Sequence, residues 1–139
     1  MPKLPLWFLV AAATCLLGGV CMGIAMGIAH DFRFSPVHAH LNLLGWTSLS
    51  LMGLTYRAYP ELAERRVPAL AQFILSAGAA VVFPVGIWLA IAHDAPGLAI
   101  GAALVWLAGV VLFLARLIGL LLRRAPAECG RAPVLLAAE

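Results

Sequence analysis

The chain has 139 residues, of which 64% are hydrophobic and 11% charged, with a formal net charge of +3 and a mean hydropathy of +1.03. That leaves too little polar surface to coat a soluble globule, so one compact unit embedded in lipid is expected. The small positive charge calls for no nucleic acid. A cleaved leader ahead of a soluble domain is not expected either, because long apolar stretches recur to the end of the chain.

A helix crosses the hydrocarbon core with about 20 apolar residues at ~1.5 Å of rise each. Four such stretches are present, and the first runs from about Leu6 to Ala29. Gly19, Gly23 and Gly27 recur in it at four-residue spacing, a ridge on which another helix or a flat ligand can lie close to the backbone. Met22 and Met26, one turn apart, read as adaptable packing, with soft metal ligation as the alternative. Gly18 to Cys21 loosely resembles a lipoprotein cleavage box. Cys15, Cys21 and Cys129 show no metal-binding spacing and imply no disulfide; the first two pack as small hydrophobes.

The second stretch, from about Pro36 to Tyr59, carries the chemistry: His38, His40, Asn42 and several hydroxyls and glycines sit in apolar surroundings, where polar groups are costly. His38 and His40 are separated by roughly 200° around a helix, so they point to opposite faces and cannot clamp one metal from a straight helix. Each serves a separate site, or the two share one between copies of the chain. Asn42 lies one turn after His38, with Gly45 next on that face, an amide followed by room for something flat. Trp46 and Trp106 fall deep enough to pack a macrocycle or a neighbouring helix, whereas Trp7 fits an interfacial belt.

The third and fourth stretches cover about Pro68 to Ala92 and Leu98 to Leu122. Short connections make sequence neighbours antiparallel, which gives an all-α up-and-down bundle over residues 1–124 followed by a loose Ala- and Pro-rich tail, 125–139. Lys3, Arg57, Arg65, Arg66, Arg123, Arg124 and Arg131 fall at one end, and Arg116 reaches it by snorkelling. Only Arg33, with Asp31 and Asp94, stands at the other. Both termini are therefore expected in the cytoplasm, as in a bacterial inner-membrane protein. His30 and His93 join His38 and His40 toward the outer face. Clustered imidazoles with few acids favour haem or copper over a hard cation, while His30 and His93 also read as plain helix-end residues.

No Ser-His-Asp set, phosphate loop or CxxCH haem-attachment motif is present, and no line of acids crosses the membrane to pump protons. The sequence HAHLNLLGW, followed by a hydroxyl- and Gly-bearing helix ending in YRAYP, resembles subunit I of the haem-copper oxidases and nitric oxide reductases, closely over the first two helices and only in hydropathy beyond. In that family twelve helices form three arcs of four, and a His-x-His pair on the second helix of one arc serves two haems. The resemblance implies that three copies of this chain reproduce the twelve helices as a homotrimer. His38 of one protomer and His40 of the next then hold a non-covalent b-type haem. The family's adjacent His-His copper ligands and its proton-channel acids have no counterpart here.

The expectation is thus a membrane haem protein acting in electron transfer or gas-ligand binding, served by a respiratory electron donor, with His38, His40, Asn42, Gly45, Trp46, Gly19 and Gly23 around the cofactor. One alternative is an oxygen or nitric oxide reductase with a second metal, copper, at His30 and His93. The other is a cofactor-free or copper-handling scaffold or assembly factor.

Overall fold

The computed structural model describes residues 3–123. The tail over 125–139, with Cys129 and Arg131, and the basic Arg124 lie outside the described residues. Every regular element among the described residues is helical. Helix α1 is Leu4–Ala29. Helix α2 occupies residues 35–58 as three contiguous segments, Ser35–His40, Leu41–Ser48 and Leu49–Ala58. A 3-10 turn, Pro60–Ala63, leads to α3, Arg66–His93, and α4 is Gly97–Leu121. Of these, α1, α3 and α4 are long and apolar enough to cross a membrane.

Helix ends fall where local chemistry puts them. Prolines occupy the first turns of α1 and α2, where a missing N–H costs nothing. Helices α1 and α3 stop at left-handed residues, His30 (φ 49°) and Asp94 (φ 53°), a conformation that His and Asp adopt more readily than most side chains. The middle of α2 departs from expectation: Leu41–Ser48 is π-helical. Backbone dihedrals stay right-handed helical through both junctions, so the rod continues while its residues shift in phase. The hydroxyl of Ser48 donates to the Leu43 carbonyl at 2.9 Å, five residues back, and helps satisfy the wider turn.

Helix neighbours are antiparallel throughout. The start of α1 meets the end of α2 where a Cβ on Gly53 would fall 2.9 Å from Phe8 Cβ and 3.1 Å from the Pro5 carbonyl. The backbones of α3 and α4 nearly touch at Gly86, where a Cβ would lie 2.5 Å from Ala99 N. Pro84, in the interior of α3, removes the N–H that would have bonded Ala80. The helices form a row rather than a square: α1 packs on α2, α2 on α3 and α3 on α4, with α1 also touching α3. At the basic end α4 reaches α2 through the Arg116 guanidinium, 5.5 Å over the Tyr56 ring.

The core is concentrated where α1 begins and α2 ends. Leu4, Phe8, Ala12, Leu49, Met52, Tyr56, Leu62 and Ala69 are buried there. The Phe8 ring stacks on Tyr56 at 5.4 Å and meets Phe73 edge-on at 5.0 Å, geometries that add to simple area burial. Elsewhere large apolar side chains point outward along every helix, including Ile28, Leu51, Ile74 and Leu104, as lipid-facing surfaces require.

Candidate functional site around His38 and His40

The first half of α2 lies between α1 and α3, and its two histidines face different neighbours. His38 turns toward α1, where a Cβ on Gly23 would sit 3.1 Å from its Cε1. His40 turns toward α3 and meets the Phe83 ring edge-on at 5.0 Å. Both imidazoles are half-buried. The opposition expected from the two-residue spacing is therefore present, with a helix on each side.

Each ring is anchored through Nδ1. That of His38 lies 2.9 Å from the Gly19 carbonyl across the α1–α2 contact. That of His40 lies 2.7 Å from the Pro36 carbonyl one turn back. A carbonyl only accepts, so in both neutral rings the proton is on Nδ1 and the lone pair is on Nε2. Neither Nε2 makes a hydrogen bond among the described residues. This is the tautomer in which a metal-ligating imidazole is held, with its distal N–H tied to a carbonyl.

Asn42 completes the α1 side. Its amide nitrogen donates to the His38 backbone carbonyl at 2.9 Å. The same nitrogen stands 3.5 Å from His38 Nδ1, but Nδ1 already gives its proton to Gly19, so that approach is between two donors and is not a bond. A Cβ on Gly19 would lie 2.5 Å from the Asn42 amide, and one on Gly45 would lie 2.5 Å from Cys15 Cβ. Cys15, Gly19 and Gly23 thus mesh with Gly45, Asn42 and His38. Gly18 adds a looser contact with Leu41.

His38, Asn42 and Gly45 share the face of α2 that meets Gly19 and Gly23 of α1, a meeting that the spacing within each helix does not give. The glycine ridge is filled by α2 of the same chain at Gly19 and Gly23, which leaves no room there for a flat ligand; at Gly27 a Cβ would meet nothing within 4 Å. Trp46 is directed outward, 37% exposed, and is not part of the cluster. His30 caps α1, and His93 ends α3 against the Trp88 ring at 5.4 Å. Among the described residues no three His, Cys, Asp or Glu side chains come together to hold a metal ion. Asp31 pairs with Arg33 at 2.9 Å, and Asp94, the other acid at that end, caps α3. An apolar hollow of about 370 Å³ between Met22, Val37, Leu41, Val81, Pro84 and Trp88 lies beside the site. Met22 lines it, while Met26 is buried.

Sequence reasoning passed over a second polar group. Gln72 and Ser76 on α3 are fully buried; the Gln72 amide donates to Ser76 Oγ at 2.8 Å and approaches Met52 Sδ at 3.7 Å, while its Oε1 has no partner. The signal was available, since an amide inside a membrane-length apolar stretch is expensive. Tyr56 and Arg116 form a third polar spot, at the basic end.

No protein-family model, no curated protein and no solved structure matches this chain.

Proposed function

We propose that the chain is a membrane haem-binding protein of the haem-copper oxidase kind, working in electron transfer or gas-ligand binding, with His38 and His40 as the imidazole ligands of a b-type haem. The observation that carries this reading is the common anchoring of both rings: Nδ1–H fixed on a carbonyl, Nε2 without a hydrogen-bond partner among the described residues. Two half-buried imidazoles in that state, on a helix interrupted by a π segment, make a costly arrangement for packing alone.

The donor set fits haem iron, which takes neutral imidazole nitrogen readily. The glycine ridge does not fit the macrocycle, because Asn42 and His38 fill it. A cofactor therefore belongs outside this protomer's α1–α2 contact, which favours a site between copies of the chain. The opposed His38 and His40 suit a homotrimeric ring in which neighbouring protomers contribute one ligand each. Bound there, the haem supplies a one-electron redox centre. The protein's share is to hold two imidazoles in one tautomer and exclude water with apolar walls. The basic end of the bundle, with the N-terminus and the end of α4, faces the cytoplasm on the distribution of Lys and Arg, and α2 spans the bilayer with the other three helices.

The visible spectrum of the detergent-purified protein, oxidised and dithionite-reduced, tests this. A sharp reduced α-band at about one haem per chain is expected, little changed by carbon monoxide, because His38 and His40 would both be ligands of the iron. A prompt carbon monoxide shift instead indicates an open iron position and the reductase alternative, while a colourless protein removes haem and leaves the scaffold reading. His38→Ala and His40→Ala should each abolish the band; full haem in both variants rules out these ligands.

A further inference from the structure

The basic end holds a pocket that the haem reading does not use. It has a volume of about 330 Å³ and lies between the 3-10 turn, the start of α3 and the end of α4. Arg65, Arg116 and Arg123 line it with a single acid, Glu61. Glu64, next to it, is engaged by Arg123 at 3.1 Å. Arg65 and Arg116 have no carboxylate partner among the described residues.

Arg116 is the decisive group. It enters from the last two turns of α4, lays its guanidinium over Tyr56 and buries an Nη1 that no acceptor meets. A pocket that gathers three guanidinium-bearing side chains against the single carboxylate of Glu61 is electropositive, and the group it attracts is an anion. A guanidinium fork matches the paired oxygens of a phosphate. Leu62, Pro68 and Leu120 supply apolar wall beside the cations, and the neighbouring Val67, Leu121 and Leu122 are fully outward-facing apolar side chains. Charge inside and hydrocarbon around it is the environment of a phospholipid headgroup between membrane helices.

We infer that this pocket is a binding site for a phosphate-bearing anion, in the first place the headgroup phosphate of an anionic phospholipid, held by Arg65 and Arg116 with Arg123 at the rim. Nothing in this depends on the haem. Gly119, on the pocket wall, has open space where a Cβ would stand, so its side-chain hydrogen leaves volume for the ligand rather than for a neighbouring helix.

The experiment is titration of the purified full chain, in an uncharged detergent, with dioctanoyl phosphatidylglycerol, followed by native mass spectrometry. Arg116→Gln and Arg65→Gln are each expected to weaken binding about tenfold, the scale of one lost charge-assisted hydrogen bond, and Gly119→Leu is expected to weaken it by filling the pocket. Gly119→Leu keeps every charge, and Arg116→Lys keeps the charge without the fork, so loss in both separates a built site from general attraction. Arg57→Gln, an exposed arginine at the same end outside the pocket, should leave binding unchanged. Equal weakening by Arg57→Gln, unchanged binding in Gly119→Leu, or equal affinity for dioctanoyl phosphatidylcholine overturns the proposal. Competition by sodium phosphate against sodium chloride at equal ionic strength identifies the source: displacement supports a site for the free anion, and persistence of the lipid supports a headgroup site.

Discussion

Gly19 and Gly27 stand on one face of α1 and have opposite surroundings. A methyl group at Gly19 runs into the Asn42 amide, whereas at Gly27 it meets nothing. Gly19→Ala is therefore expected to destabilise the protein by about 1–3 kcal/mol through forced separation of α1 and α2. Gly27→Ala should be neutral or stabilising by up to about 1 kcal/mol, since alanine is the better helix former. Thermal denaturation of both variants in detergent measures the difference, and equal behaviour sinks the account of the ridge. The sequence made the three glycines legible as a ridge, but only the neighbour's side chains determine which of them are occupied. The same limit applies at Gln72, whose burial and Ser76 partner depend on how α3 faces α2.

Among the elements, α2 is the one whose interior differs from its outline. Its extent was readable from Pro36 at the start and the turn at Pro60. The π segment was not, because Leu41–Ser48 carries no Pro or charge to mark it. Its effect is one of phase: His38, Asn42 and Gly45 are directed at α1, and Tyr56 still reaches the core against Phe8. Deleting the exposed Leu43 should let the segment relax to an α-helix, in which the lost residue and the tighter turns no longer hold the two halves in their present phase. One of the two contacts must then break. The deletion is expected to lower the midpoint of thermal unfolding by several degrees more than Leu43→Ala, which keeps chain length; equal shifts would show that the wide turns have no packing role.

On the scale of the whole molecule, basic and histidine-bearing ends are separated by the length of the helices, and the tight core lies at the basic one. The proposed orientation predicts that reporters fused at either terminus are active only in the cytoplasm, and an externally active reporter reverses it. The proposed ring predicts three chains in the detergent-solubilised particle by multi-angle light scattering, with haem lost on dissociation to single chains. A haem-loaded monomer would instead place both ligands within one protomer, contrary to the opposed faces of His38 and His40.

Composition by itself determined that the chain is helical and built for lipid, since apolar stretches of that length can satisfy their backbone only as helices there. Spacing determined that His38 and His40 face apart and that His38, Asn42 and Gly45 share a side, because helical period converts separation into angle. The tertiary structure decided what each face meets. It decided that α2 fills the glycine ridge, that the Gly19 carbonyl of α1 fixes the His38 tautomer, and that Arg65, Arg116 and Arg123 share a pocket. Those facts follow from the register and rotation of one helix against another, which depend on many weak contacts summed over the whole row of helices and are written at no single position of the chain.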